Sequence, residues 1–497
     1  MKKPNVIFIL ADDMSYADIG CYGQTIIKTP HIDQLAAEGM RFTQCYAGAS
    51  ICGPSRCSLM TGKHMGHARI RDNSARLESG TYCESLKQED LTVAEVMKQA
   101  GYTTGLVGKW GIGEPGTEGI PNRKGFDYAV GFWNQIRAHS YYPEYVWKND
   151  QAVLLEGNIG FDMNRLYLHN KAHYLNDQYP NEYDEEGNYI PSGVKDPSLA
   201  VNTHDLCTSE ALGFIQRHAE EPFFLYLAYQ NPHGPLVVPS LAPYTDADFP
   251  SQKHKEWAAL ITRMDTDIGQ IMNLLQELGL DENTIVMFGS DNGYSAWGYF
   301  GLNQDETVPF FDHRGPFRGG KFSLYEGGLR VPFIARWPGQ IPSGTVSEHV
   351  WAFWDVLPTF AELAGVKPAG EYDGISFLQA LRGKSAPEHD FLYWELGHAQ
   401  AVRLGNWKAY REHPLQPTQL YDLSKDEGEL IDLSADYPEV VCQAEGIMKS
   451  ARTDSPIFTN PGETSQQELS KRAGLVPNGW SYDSPEHLKW LDDLDRL

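Results

Sequence analysis

Two pairs of adjacent side chains in this 497-residue chain carry oxygen atoms suited to a metal ion. Asp12 and Asp13 follow one apolar run, and Asp291 and Asn292 follow another. Calcium and magnesium prefer a shell made of oxygen ligands. One such pair alone could simply cap a helix or a turn, but two pairs in equivalent positions favour a site for a hard divalent cation.

Residues 52–63 combine a cysteine with a helix start. On composition alone, Cys52 would be a small buried residue. Pro54 and Ser55 follow it almost at once, and a proline among the first residues of a helix is a typical N-terminal signal. A helix N-terminus directs backbone N–H groups and the positive end of its dipole toward a bound anion. Together with the permanent charge of Arg56, the segment predicts an anion-binding site beside Cys52.

Apolar strand-like runs alternate with amphipathic helices along most of the chain. This alternation predicts an α/β fold with a large, mainly parallel sheet flanked by helices on both faces. The predicted strands are residues 5–10, 104–107, 223–229, 284–288 and 331–337. The predicted helices are residues 31–39, 90–100, 205–218, 256–278 and 355–364.

Polar residues follow four of these predicted strands directly. They are Asp12 and Asp13, Gly108 and Lys109, the run from Asn231 to His233, and the run from Ser290 to Gly293. In open α/β sheets, ligands bind beyond the carboxyl ends of the strands. We therefore expect these residues to form one site.

Two regions depart from the alternating pattern. Between residues 141 and 197 the periodicity fades and tyrosines accumulate, at positions 141, 142, 145, 167, 174, 179, 183 and 189. We expect an insertion over the sheet edge, whose rings either stack on sugar rings or pack the insertion down. After residue 383, short apolar runs (391–394, 400–404, 407–410 and 419–423) predict an antiparallel sheet. This divides the chain into a catalytic α/β domain, residues 1–383, and a smaller C-terminal domain, residues 384–497.

Composition narrows the classes of function. The chain has 41 Lys and Arg against 66 Asp and Glu, a formal net charge of −25. This balance argues against nucleic acid as a partner. No stretch approaches the ~18 consecutive apolar residues of a membrane span. Seven cysteines are too few, and odd in number, for a disulfide scaffold.

The N-terminal residues do not decide in which cellular compartment the protein acts. Lys2 and Lys3 precede only five apolar residues before Asp12, which is short for the core of a leader peptide. As written, the chain would be cytoplasmic. A leader trimmed from the native protein would instead make it periplasmic or secreted.

The order of several motifs resembles the type I, formylglycine-dependent sulfatase family of arylsulfatase-like enzymes. Cys-Gly-Pro-Ser-Arg at 52–56, followed by Leu-Met-Thr-Gly at 59–62, is similar to the sulfatase signature. Residues 4–23, GKWGIG at 108–113, NPHGP at 231–235, FGSDNG at 288–293 and residues 317–339 follow in the family's order. The resemblance covers nearly the whole chain. It implies the alkaline phosphatase superfamily fold, a large α/β domain with a small C-terminal sheet domain.

The resemblance also implies a cofactor and a nucleophile. A maturation enzyme would oxidise Cys52 to Cα-formylglycine. One calcium ion, or magnesium, would be bound by Asp12, Asp13, Asp291 and Asn292, with residue 52 as a further ligand. One hydroxyl of the hydrated aldehyde would attack sulfur and release the alcohol, and the other would then expel sulfate.

Four further residues match family positions that handle the sulfate ester. Arg56, Lys109 and Lys321 would hold the sulfate oxygens, and His233 would protonate the departing alcohol. On the residues alone, both lysines could be surface lysines and His233 an ordinary turn residue. Glu326 and Arg330 match the family as well, as a structural ion pair.

One position departs from the family pattern. Related sulfatases carry histidine two residues after the first active-site lysine, whereas this chain has Gly111. His139 lies in residues 134–143, a segment that brings a polar residue to the sulfate pocket in relatives. We expect its imidazole to enter the space left at Gly111 and act as the base. The alternative is that His139 contacts substrate or is simply packed.

Three functions remain to be separated. The motifs favour a sulfatase acting on a sulfated small molecule or a short oligosaccharide. A phosphonate or phosphate ester hydrolase with the same nucleophile is the nearest alternative, but such relatives tend to have histidine in place of Asn292. Gly111 by itself would also suit an inactive homologue that binds sulfated glycans.

Overall fold

The computed structural model describes residues 3–77, 80–159, 181–191, 197–295 and 310–476. The strands of the large sheet are β1 (Asn5–Asp12), β2 (Met40–Tyr46), β5 (Thr103–Lys109), β6 (Tyr128–Phe132), β7 (Tyr145–Lys148), β8 (Gln151–Leu154), β9 (Phe223–Pro232), β10 (Thr284–Ser290), β11 (Arg330–Arg336), β12 (Thr345–Ser347) and β13 (Trp351–Ala352). A hairpin is formed by β3 (Ala75–Leu77) and β4 (Gly80–Tyr82). A four-stranded sheet contains β14 (Leu392–Leu396), β15 (Ala399–Leu404), β16 (Trp407–Arg411) and β17 (Gln419–Asp422).

The helices within the described residues flank these sheets. They are α1 (Pro30–Glu38), α2 (Cys52–Thr61), α3 (Val93–Gln99), α4 (Thr203–Arg217), α5 (Gln252–Glu277), α6 (Glu326–Leu329), α7 (Val356–Ala364), α8 (Leu378–Leu381), α9 (Pro438–Ser450) and α10 (Ser465–Arg472). No helix in the described ranges combines the length and the apolar composition that crossing a membrane requires.

The centre of the large sheet is parallel and is flanked on both sides by antiparallel pairs, beyond which β12 and β13 pair in parallel with β2. The strands lie in the order β12-β2-β11-β10-β1-β9-β5-β6-β7-β8, with β13 beside β2. Neighbours from β10 through β6 pair in parallel, whereas β11 and β7 run antiparallel to their neighbours. The α/β class and the small antiparallel sheet predicted from the sequence are confirmed. The ten predicted elements all occur, with ends that differ by at most four residues.

Burial on both faces explains why the central strands are continuously apolar. All eight residues of β1 are buried. Val6, Phe8 and Leu10 pack into one hydrophobic cluster, while Ile7 and Ile9 pack into another on the opposite face. Alternating side chains of a strand point to opposite faces, so a strand covered on both sides is apolar at successive positions along its middle. The first charged side chains therefore appear at the carboxyl edge.

The four-stranded sheet packs against helix α9 on one face and against residues of β2 and of the turn before α7 on the other. Tyr393 and Val402 on one face pack with Met448 of α9. Trp394 on the other face packs with Tyr46 and Trp354. Apolar contacts on both faces thus fix this sheet against the rest of the chain. The boundary at residue 383 stays a prediction.

The tyrosines of residues 141–197 are in part outside the described residues. Tyr141, Tyr142 and Tyr145 are buried, and Tyr183 and Tyr189 are half-buried beside an apolar cluster. These five rings therefore pack the chain down, which was one of the two alternatives. Tyr167, Tyr174 and Tyr179 lie outside the described residues.

A buried ion cluster joins α6 to the small sheet. Lys408 on β16 is fully buried, and its Nζ lies 2.8 Å from Glu326 and 3.5 Å from Glu429. Arg330 Nη1 is 3.6 Å from Glu326, so the predicted ion pair exists as part of a larger cluster. Burial would raise the pKa of Glu326, but Lys408 and Arg330 lower it to about 2.

Replacing Lys408 by methionine is expected to destabilise the protein by about 3–5 kcal/mol, because it removes one partner of a buried ion pair and leaves carboxylates behind. Chemical denaturation midpoints would measure the loss. Lys425→Met is the matched control, since that lysine is 80% exposed and its bond to Asp422 should contribute little. Equal midpoints for the two variants would contradict this account of the cluster.

Candidate active site

The predicted site residues meet at the carboxyl ends of four neighbouring strands. Strands β10, β1, β9 and β5 are adjacent in the sheet. The side chains at their ends are Asp12 and Asp13, Lys109, His233, and Asp291 and Asn292, all buried. The structure therefore brings together groups from distant parts of the chain, as the sequence predicts. Lys321 joins them from the loop before α6.

Cys52 lies at the centre of this group. It is the first residue of α2, and the helix is buried along its entire length. Its Sγ lies 3.3 Å from Asp12 Oδ1, 3.8 Å from Asp13 Oδ1 and 3.3 Å from Lys321 Nζ. Burial, together with Asp12, raises the pKa of the Cys52 thiol. The thiol is therefore protonated near neutral pH and is not the activated thiolate of a cysteine hydrolase.

Two lysines neutralise the carboxylates around Cys52. Lys109 Nζ lies 2.6 Å from Asp12 Oδ2, and Lys321 Nζ lies 2.7 Å from Asp13 Oδ2. Burial alone would raise the pKa of Asp12, but Lys109 and other nearby cations hold it well below its usual range. Both carboxylates are thus ionised although water is excluded. Burying charged groups lowers the stability of a fold, so a cluster of them in one place indicates a functional site.

Arg56 supports Asp291 in this structure. Its Nε and Nη2 donate to Asp291 Oδ2 at 3.0 and 2.8 Å, and its Nη1 donates to the Lys109 carbonyl at 2.9 Å. Burial and the neighbouring Asp12 nevertheless raise the pKa of Asp291 to about 7. The guanidinium therefore holds Asp291 in place, and its contact with sulfate stays a prediction.

The oxygen-rich side of the site fits a hard cation. Ligand atoms of Asp12, Asp13, Cys52 and His233 lie within 4.8 Å of one another. Asn292 donates its Nδ2 to Asp13 Oδ1 at 2.7 Å, whereas its buried Oδ1 has no hydrogen-bond partner among the described residues. The unsatisfied amide oxygen of Asn292 and the neighbouring carboxylates together offer the oxygen ligands that calcium or magnesium prefers.

The geometry around His233 defines its tautomer. Nδ1 lies 2.6 Å from the Gly234 carbonyl, which can only accept, so Nδ1 carries the proton. Nε2 faces Lys321 Nζ at 3.2 Å and Asp13 Oδ2 at 3.5 Å. Burial, aided by Lys321, lowers the pKa of His233 to about 4. The imidazole is thus neutral here, with Nε2 directed into the site.

The position at Gly111 differs from the expectation. A Cβ added at Gly111 would meet Gln135 Oε1 at 2.6 Å and Arg56 Cδ at 3.8 Å. His139 instead stacks on His233, with ring centroids 4.0 Å apart. Gln135 therefore occupies the space at Gly111 where His139 was expected, and the role of His139 as the base stays a prediction. Gln135 was missed, although the segment that contains it was recognised.

A second group of potential metal ligands lies away from this site. His64, His67 and Asp373 present ligand atoms within 4.8 Å of one another. The Gly66 N–H donates to His64 Nδ1 at 3.1 Å, which places the imidazole proton on Nε2. His64 Nε2 is thereby unsuited to a metal, so these contacts serve to join the end of α2 to the loop at Asp373.

Comparison with protein families finds two matches. The sulfatase family matches residues 4–366. The C-terminal family of N-sulphoglucosamine sulphohydrolase matches residues 315–449 and so includes the four-stranded sheet.

Individual relatives extend these matches. The N-acetylgalactosamine-6-O-sulfatase of Bacteroides thetaiotaomicron is 32% identical over 91% of this chain and 94% of its own length. The structure of Ps i-CgsB in complex with k-i-k-neocarrahexaose superposes with a TM-score of 0.71 at 27% identity, covering 99% of this chain and 98% of that one. The phosphonate monoester hydrolase of Agrobacterium radiobacter shares the fold, with a TM-score of 0.63 at 19% identity over 90% of this chain and 95% of its own.

Proposed function

Since this chain belongs to the sulfatase family and is a sulfuric ester hydrolase, we propose that it removes a sulfate group from a carbohydrate, using a formylglycine made from Cys52 and one bound calcium ion. The surroundings of Cys52 carry this proposal. Its Sγ is 3.3 Å from both a carboxylate and an ammonium group, at the start of a helix. Because the thiol is held protonated, an oxidised side chain serves better as the nucleophile.

Asp12, Asp13, Asp291 and Asn292 would hold the calcium ion. When bound, the cation supplies positive charge next to residue 52, and the hydrated aldehyde supplies a nucleophilic hydroxyl. The described site has three cationic side chains, Arg56, Lys109 and Lys321, against three carboxylates. A divalent cation would offset the charge of an added sulfate ester.

Lys321, Lys109 and His233 would each have a separate role in binding and cleaving the sulfate ester. Lys321 Nζ lies between Cys52 and His233, which suits it to hold a sulfate oxygen and the bridging ester oxygen in place. Lys109 keeps Asp12 ionised and fixed. His233 Nε2 would deliver a proton to the departing alcohol, since a bound anion raises the pKa of a neighbouring imidazole. Stacked against it, His139 would keep that ring in position.

His233→Ala should discriminate between leaving groups. We expect kcat/KM to fall by about 10²–10⁴-fold for a sugar sulfate, whose alcohol needs a proton to leave. The loss for 4-nitrophenyl sulfate should be much smaller, because that phenolate leaves unprotonated. Steady-state rates on both substrates provide an internal control for folding. Equal losses would remove the acid role from His233.

The substrate class follows from relatives and charge. The relative from Bacteroides thetaiotaomicron acts on N-acetylgalactosamine 6-sulfate by its name, so a 6-O-sulfated hexosamine is the first candidate. The chain's net charge of −25 would repel long polyanions, which favours a short, lightly sulfated oligosaccharide.

A panel of sulfated monosaccharides and disaccharides tests this proposal. Release of sulfate from at least one 6-sulfated sugar, with 4-sulfated isomers as matched controls, is the expected result. Binding of these sugars without release would indicate an inactive glycan-binding homologue. Turnover confined to aryl or steroid sulfates would contradict the carbohydrate assignment while retaining the sulfatase.

A further inference from the structure

Phe322 is an exposed aromatic residue next to a lysine of the active site. The residue is 47% exposed, although Lys321, directly before it, is buried. Lys321 Nζ lies 5.8 Å from the centroid of the Phe322 ring. The same Nζ is 3.3 Å from Cys52 Sγ and 3.2 Å from His233 Nε2. A solvent-facing ring therefore lies about the width of one sugar ring from the lysine that contacts both the proposed nucleophile and the proposed acid.

The backbone of Phe322 is in a conformation that bulky residues rarely adopt. One exposed apolar side chain on a surface is ordinary and by itself indicates no function. Phe322, however, has a φ of +70°, in the left-handed region that favours glycine. The other non-glycine residues with positive φ in the described ranges are acidic or amide residues: Asp13, Asn149, Asp312 and Glu429. Strained positions of this kind cluster at functional sites, which indicates a use for the ring.

Two hydrogen bonds fix this conformation relative to the nucleophile. The Phe322 N–H donates at 2.9 Å to the carbonyl of Ser50, which lies two residues before Cys52. The Ser323 N–H donates at 2.9 Å to the carbonyl of Gly320, which closes a four-residue turn. Phe322 is the third residue of that turn, where a positive φ usually requires glycine or asparagine. The ring is therefore positioned before any substrate binds.

The ring lies on the side of the site where the departing alcohol is expected. His233 is the proposed acid, so its Nε2 lies near the bridging oxygen of the ester, and that oxygen belongs to the sugar. Cys52 and His233 are 0% and 4% exposed, so the rest of the sugar has to extend from this point toward solvent. Phe322 is the exposed residue that follows Lys321, at the distance that such a sugar would span.

We propose that Phe322 is a platform on which the sugar that carries the sulfate stacks, with C–H bonds on the apolar face of the hexose against the aromatic ring. This inference rests on the proposed sulfatase function and assigns recognition of the sugar at the same site. The face of an aromatic ring carries partial negative charge and attracts the C–H hydrogens, and the contact removes apolar surface from water. The cations of the site would thus hold the sulfate, and Phe322 would hold the sugar.

Phe322→Gly separates this role from a structural one. Without the ring, the affinity for 6-sulfated N-acetylgalactosamine should fall by about 10-fold, the loss expected for one aromatic contact and the area it buries. The affinity for inorganic sulfate should stay within about twofold, because sulfate has no sugar to stack. The melting temperature should change little, since relief of strain offsets the greater freedom of glycine in the unfolded chain. Both ligands are titrated by calorimetry, with calcium present, into Cys52→Ser protein with and without the second change.

Phe322→Tyr and Tyr372→Leu are the matched controls. The first keeps an aromatic ring at the same φ and should keep the affinity for the sugar sulfate within about twofold of the parent. Tyr372 is a second solvent-facing ring, 36% exposed, which lies beside Gly62 at the opposite end of α2 from Cys52. Its replacement by leucine should change neither affinity. For Phe322→Gly, an unchanged affinity for the sugar sulfate, or an equal loss for both ligands, would overturn the proposal.

Activity distinguishes failure here from failure of the proposed function. In otherwise unaltered enzyme, Phe322→Gly should raise KM for the sugar sulfate by about 10-fold with little change in kcat, because the stacking contact is the same in the ground state and the transition state. A parent that hydrolyses sulfate esters but binds the sugar sulfate no more tightly than inorganic sulfate would overturn only the role of Phe322. A parent that neither hydrolyses sulfate esters nor binds sulfate would overturn both.

Discussion

Cys52→Ala is expected to lower sulfatase turnover by about 10⁴- to 10⁶-fold, the loss typical of removing a covalent nucleophile. The unmodified thiol cannot substitute, because burial and Asp12 keep it protonated. The peptide that contains residue 52 should show an aldehyde in place of the thiol after expression with a maturation enzyme. Mass spectrometry of that peptide, combined with initial rates, measures both effects.

Cys57 provides the matched control for this experiment. It lies in the same helix, is equally buried, and has its own thiol pKa raised to about 11 by burial. Cys57→Ala should leave turnover nearly unchanged, and its sulfur should stay a thiol in the parent protein. Near-normal activity in Cys52→Ala would contradict the proposed nucleophile.

Asp291→Asn is expected to remove calcium and to lower activity by more than about 100-fold. Changes to groups that merely support a metal ligand cost about 10- to 100-fold, so loss of a ligand should cost more. Asp291 also holds Arg56 and accepts the Asp13 N–H at 3.1 Å, so several site residues depend on it. Metal content by mass spectrometry and melting temperature with and without a calcium chelator are the measurements.

The parent protein should melt at a lower temperature in chelator, because a ligand that binds only the folded state stabilises it. The melting temperature of Asp291→Asn should not respond. Asp265→Asn is the control: that carboxylate is buried but accepts from the backbone N–H of Ile32, at the start of α1. Retained calcium in Asp291→Asn, or two zinc ions in the parent, would contradict the metal assignment.

The core of the site could be predicted from sequence because it follows directly from strand ends. Strand β1 is apolar from Val6 to Ala11, and β10 from Ile285 to Gly289, so the polar residues that follow these runs mark the carboxyl edge of the sheet. Parallel strands place such edges together. What the sequence left open was their order, and β10, β1, β9 and β5 prove to be adjacent.

Strands β8 and β2 were harder to predict for a physical reason. Strand β8 is exposed throughout, and β2 mixes buried and half-buried residues. Neither shows the continuous apolar run that marks a strand covered on both faces. Strand β2 pairs with the distant strands β11 and β12, which local patterns do not encode, and β8 forms a short exposed hairpin with β7.

The position beside Gly111 could not be assigned from sequence for a related reason. Residues 134–143 contain both Gln135 and His139, and both are polar side chains able to enter a pocket. Which of them reaches Gly111 depends on how Asn134 fixes the segment to Glu114, a contact between residues 20 positions apart. His139 was favoured because imidazole is the usual base near neutral pH.

The most direct measurement compares an aryl sulfate with an aryl phosphonate on preparations whose aldehyde content at residue 52 has been determined. We expect kcat for the sulfate to rise in proportion to the aldehyde fraction, and kcat/KM to favour sulfate over phosphonate. Rates that do not depend on the aldehyde fraction, or a preference for phosphonate, would contradict the assignment of this chain as a formylglycine-dependent sulfatase.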